Sequence, residues 1–129
     1  MPKRTVAARC AIAIATLAAA VTLQPTPAQA TAKYGCPYPW VCFMKGPYKS
    51  SSAKVVAKYQ DVTNYYQKVT PAASGSDWLY NSRNDDRVQL VLEEETNAPF
   101  CVRPNSTETW SIKDPSHIMI QTQSACKSS

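Results

Sequence analysis

The chain has 129 residues, with 14 basic and 9 acidic side chains and a formal net charge of +5. Three of the bases, Lys3, Arg4 and Arg9, fall in the first 30 residues with no acid beside them, so the remainder carries only +2. That balance argues against a nucleic-acid partner, and Lys45, Lys49, Lys54, Lys58 and Lys68, spread through the first half, read as a solvated face.

Residues 1–30 read as a secretory signal peptide. The three bases form its positive start, and Cys10 to Leu23 form an apolar run broken only by Thr16 and Thr22. Gln24-Pro25-Thr26-Pro27 stops a helix, and Ala28-Gln29-Ala30 is a small-x-small cleavage site. An uncleaved anchor is the weaker alternative, since spanning a bilayer takes about 20 apolar residues. A lipid-modified cysteine would follow the run, whereas Cys10 opens it. The expected product, residues 31–129, is one secreted domain, with no membrane attachment after cleavage.

A domain of this size builds only a modest core. Its four cysteines, Cys36, Cys42, Cys101 and Cys126, are an even number in an exported chain and imply two disulfides. Three pairings are open. The sequence-local one, Cys36–Cys42 with Cys101–Cys126, is favoured, and loop closure would then contribute about 2 and about 3.5 kcal/mol. Zinc is disfavoured because there is no C-x-x-C pair and His117 is the sole histidine.

Trp40 to Met44 is the first strand expected, followed by a loop over 45–52. Ala53 to Gln60 is rich in β-formers, Asp61 to Asn64 is a turn, and Tyr65 to Val69 is a short strand or helical turn. Pro71 to Ser76 reads as a loop of small residues, and Asp77 to Asn81 as a strand. Asn81-Ser82-Arg83-Asn84-Asp85-Asp86 is a dense turn cluster. Val88, Leu90 and Leu92 then alternate with polar or smaller residues, the pattern of a half-buried strand. Glu93-Glu94-Glu95 reads as a solvated strand end. Pro99 to Arg103 is a short strand, Pro104 to Thr107 a turn, and Thr109 to Ile112 and His117 to Thr122 close the set. Short strands at this spacing, without helical periodicity after residue 30, predict an all-β sandwich or barrel.

Three segments carry a resemblance to a known family. Cys36-Pro37-Tyr38-Pro39-Trp40-Val41-Cys42-Phe43 is similar to an opening C-P-x-x-x-V-C-[FL]. Lys58-Tyr59-Gln60-Asp61-Val62-Thr63, with Tyr66-Gln67, resembles an aromatic-x-Asp second element. Asp77 to Leu92 resembles a strand, an asparagine-containing turn and a strand. Together they resemble the secreted, chiefly actinobacterial metalloproteinase inhibitors with a βγ-crystallin-like fold. The resemblance implies a Greek-key β-sandwich with two disulfides, a monomer, and inhibition of an extracellular peptidase of the thermolysin-like class. The chain departs from the pattern in its few glycines after residue 30, Gly35, Gly46 and Gly75. Asn84-Asp85-Asp86 also lacks the Ser/Thr-Ser of calcium-binding crystallin-like domains, so no metal or cofactor is expected.

No serine-nucleophile elbow, metal-ligand spacing or phosphate loop is present, and the chain reads as non-enzymatic. An inhibitor needs a rigid extended segment, because rigidity lowers the ordering cost of binding. The candidate inhibitory loop is Pro99, Phe100, Cys101, Val102, Arg103 and Pro104: two prolines fix backbone dihedrals and, in the favoured pairing, Cys101 would tie the middle to Cys126. Thermolysin-like enzymes prefer a bulky apolar residue after the cut, and the resemblance makes Cys101–Val102 the leading bond. Against this, Phe100 and Val102 share one face by strand alternation, with Cys101 on the other, and both would serve equally as core. The alternative function is an exported binding domain for a cell-wall or carbohydrate ligand, using Trp40, Tyr48, Tyr65, Tyr66, Trp78 and Trp110, although the three tryptophans also read as core. Exposure of Trp40 and Trp78 against that of Phe100 and Val102 separates the two readings.

Overall fold

Two clusters of buried apolar side chains organise the chain. The computed structural model describes residues 32–94 and 99–127. The expected signal peptide lies outside them, as does Glu95. The elements are β1 (Val41–Lys45), β2 (Lys54–Tyr59), β3 (Gln67–Lys68), α1 (Pro71–Ser74), β4 (Trp78–Asn81), β5 (Arg87–Leu92), β6 (Phe100–Val102), β7 (Ser106–Thr109) and β8 (Pro115–Gln121). The strands form two four-stranded sheets with every named pair antiparallel, β2-β1-β4-β7 and β3-β8-β5-β6. Each half of the chain gives its third strand to the other half's sheet: β3 joins sheet two and β7 joins sheet one. Both sheets therefore run second, first and fourth strand of one half, then the third strand of the other.

Alternation on β1 sends Val41 and Phe43 one way and Cys42 and Met44 the other, yet all four are buried. The first pair joins Leu79, Val88, Leu90, Val102, Ile118 and Ile120 in the core between the sheets. The second pair forms a smaller cluster with Cys36, Ala53, Trp78 and Tyr80 on the outer face of sheet one. The lead-in, residues 32–40, covers that face through Tyr34 and Trp40 and is held there by the Cys36–Cys42 disulfide. The other bridge joins Cys101 and Cys126, so the sequence-local pairing is the one present. A register shift between Phe43 and Met44 lets Ala57 and Tyr59 pack inward while Val55 packs outward.

Two expectations change. The loop expected over 71–76 holds a helical turn: the Thr70 side chain caps it by accepting from the Ala73 N–H, Pro71 opens it, and Ala73 is buried in the core. The last-but-one strand is Ser106–Thr109, displaced toward the N-terminus from the Thr109–Ile112 expected. Thr107 and Thr109 pair with Tyr80 and Trp78 as a polar edge strand, and Ile112 is left 90% exposed in the following bend.

The 81–86 turn ties the three resembling segments together. Asn81 is fully buried; its Oδ1 accepts from the Arg83 N–H and its Nδ2 donates to the carbonyls of Asp86 and Arg103. Ser82 Oγ lies 2.6 Å from the Trp40 carbonyl and 2.9 Å from that of Pro37. Arg83 Nη1 donates to Pro39 and Gln60 carbonyls while the rest of its guanidinium pairs with the largely buried Asp86 carboxylate.

Candidate functional site

The residues singled out in the sequence, Pro99 to Pro104, form an edge strand with its flanks and not a protruding loop. β6 ends sheet two, pairing Val102 with Val88, Cys101 with Gln89 and Phe100 with Leu90. Cys101 is half-buried and bridged to Cys126, and Pro99 and Arg103 are exposed. Val102 is 2% exposed and belongs to the central core, so its side chain offers nothing to a partner and the Cys101–Val102 bond is not displayed as a substrate would be. Of the two readings of Val102 offered by the sequence, core and reactive bond, its burial favours core.

Phe100 lies on the same side of the strand but is 42% exposed, because the sandwich opens there. It helps to line a cleft of about 300 Å³ with Leu92, Thr109, Trp110, Ser111, Ile112 and Lys113. The walls are fixed. Trp110 donates from Nε1 to the Ser76 carbonyl at 2.9 Å and packs near Phe43, and the Glu93 N–H donates to the Asp114 carbonyl, closing the 111–114 bend against the end of β5. The exposed Glu93, Glu94 and Asp114 give this end an acidic rim. The sequence does not group Leu92 and Ile112 into a site, and it offers Trp110 only among the aromatic residues of the carbohydrate-binding reading. Ile112 is the available signal, a large aliphatic residue beside small and polar ones, but the pattern expects it at the end of a strand over Thr109 to Ile112.

The tryptophans do not form an exposed platform: Trp78 is fully buried, and Trp40 and Trp110 are half-buried. His117 is half-buried on β8, with Nδ1 3.1 Å from Ser116 Oγ, and that hydroxyl donates to the Val91 carbonyl. Among the described residues two titrations are displaced. The Gly46 N–H and the Lys45 ammonium hold Asp77 below the ordinary carboxylate value, and burial, with Tyr34 alongside, raises Tyr80. No group of three or more His, Cys, Asp or Glu suited to a metal occurs among the described residues.

No family model, no curated protein and no solved structure matches the chain.

Proposed function

We propose that the chain is a secreted, non-enzymatic inhibitor of an extracellular peptidase, of the thermolysin-like class, on a βγ-crystallin-like Greek-key sandwich. The exchange of third strands between the two halves supports that fold, as do the three segments that converge on Ser82 and Arg83. Two disulfides, and no helix among the described residues long and apolar enough to cross a membrane, are compatible with an extracellular protein.

One observation carries the inhibitory reading: Phe100 is exposed on a disulfide-tied edge strand beside an apolar cleft. Peptidases bind chains in extended form, and an edge strand is already extended, so little ordering is lost on docking. In this reading Phe100 fills the enzyme's apolar subsite, Arg103 and Pro99 flank it, and Val102 anchors the strand from inside. Inhibition is then by obstruction, with β6 pairing and the Cys101–Cys126 bridge holding the segment rigid.

The test is a titration of the oxidised chain against a thermolysin-like metallopeptidase and a panel of serine peptidases, with mass analysis of the incubated chain. Stoichiometric inhibition without cleavage at Cys101–Val102 is expected. Absence of inhibition across the panel overturns the proposal.

A further inference from the structure

Charge is unevenly divided along the sequence. Residues 31–69 carry six lysines and one acid, a net +5, whereas residues 70–129 carry five bases and eight acids, a net −3. Much of the positive half lies on the outer face of sheet one. One cross-strand row there runs Lys58, Cys42, Tyr80, Thr107 from β2 to β7, a width of about 14 Å at the usual strand spacing.

Three ammoniums are carried on rings along this row. Lys58 Nζ sits 4.6 Å from the Trp40 ring centroid. Lys33 Nζ sits 5.3 Å from that of Tyr34 and 5.8 Å from that of Tyr80. Lys49 Nζ sits 5.0 Å from that of Tyr48, whose hydroxyl is 2.8 Å from Thr107 Oγ1. The rings are themselves held: Tyr34 packs edge-on against Trp78 and Tyr80, and Tyr48 against Trp78. Among the described residues none of these three lysines makes an ion pair. Asp77 is taken by Lys45 and the Gly46 N–H. An ammonium resting on a ring face keeps N–H groups free for an anion.

We propose that this face binds an acidic polysaccharide, its carboxylates meeting Lys33, Lys49 and Lys58 and its sugar rings stacking on the exposed tyrosines. Tyr48, whose hydroxyl meets Thr107, and Tyr38, in the lead-in between Cys36 and Trp40 of the outer-face cluster, are 48% and 52% exposed and would supply the stacking surface. The cations here are all lysines; the arginines of the described residues, whose fork suits bidentate phosphate, are Arg83, Arg87 and Arg103, all after residue 69. The site is separate from the β6 cleft and does not depend on peptidase inhibition.

The test is calorimetric binding of the oxidised chain to oligogalacturonate, with a neutral maltooligosaccharide of equal length and inorganic polyphosphate as comparisons. Binding to the uronate and not to the neutral sugar is expected. It should weaken at least tenfold in Lys33→Gln/Lys49→Gln/Lys58→Gln and stay unchanged in Lys68→Gln/Lys127→Gln. Lys58→Gln alone should weaken it measurably, which keeps the test sound should the triple variant fail to fold. Tyr38→Ala should weaken uronate binding while leaving any polyphosphate binding as it was. No uronate binding, equal loss from the Lys68/Lys127 variant, or no effect of Tyr38→Ala on the uronate overturns the proposal.

Discussion

Phe100 and Val102 lie on the same side of β6, but only Val102 is covered: Val88 stands opposite it and 2% of its surface remains exposed, against 42% for Phe100. Removing two methyl groups from the covered position leaves a cavity, so Val102→Ala should cost about 2 kcal/mol. Phe100→Ala should cost less than about 1 kcal/mol, because much of the ring is already in water. Chemical denaturation midpoints of the two variants check this, and a larger loss for Phe100→Ala contradicts it.

Arg83 is the pin between the turn and the rest of the chain. Its guanidinium reaches Pro39 and Gln60 carbonyls and pairs with Asp86, mostly out of solvent. Arg83→Ala strands a carboxylate and two carbonyls, and a loss of about 3 kcal/mol is expected. Arg83→Lys should recover only part of it, since one ammonium lacks the fork that serves both directions. Urea unfolding of the pair measures the difference.

The two disulfides should differ in weight. Cys101–Cys126 spans a sequence separation of 25 and Cys36–Cys42 a separation of 6. Loop-closure entropy assigns about 3.5 and about 2 kcal/mol to them. Cys101→Ser/Cys126→Ser should therefore lower the thermal midpoint more than Cys36→Ser/Cys42→Ser. The second pair should instead loosen residues 32–40, seen as faster amide exchange at Trp40.

Stability should fall at both ends of the pH scale, for opposite reasons. The folded Asp77 carboxyl titrates below its ordinary value of 3.8, so its contribution is complete above that value and is lost as pH falls through the folded pKa. The pair with Lys45 is exposed, and the effect is less than about 1 kcal/mol. The folded Tyr80 hydroxyl titrates above its ordinary value of 10.0, so its contribution is complete below that value and is lost as pH rises through the folded pKa. Tyr80→Phe should flatten the alkaline limb and Asp77→Asn the acid one, measured as unfolding midpoints across pH.

Local signals were legible and non-local ones were not. Val88, Leu90 and Leu92 announced β5 by alternation, and the density of turn formers announced 81–86. α1 is four residues long, too short to show a helical period, and only the Thr70-Pro71 cap hinted at it. β7 is a run of Ser, Thr and Glu held by its pairing with β4, with no apolar pattern to reveal it. At the candidate site, alternation correctly put Phe100 and Val102 on one side. It could not say where the opposing sheet stops, and that boundary decides which of the two is presented. The lysine row was illegible for a similar reason: Lys33 reaches Tyr80 only because the disulfide folds the lead-in back over sheet one.

The most direct measurement is inhibition of a thermolysin-like metallopeptidase by the oxidised chain, titrated beside Phe100→Ala and Val102→Ala under conditions where both variants are folded. Stoichiometric inhibition by the wild type, weakened at least tenfold by Phe100→Ala and unchanged in folded Val102→Ala, is the predicted result. Inhibition that survives Phe100→Ala but is lost in folded Val102→Ala, or no inhibition by the wild type, would contradict the account.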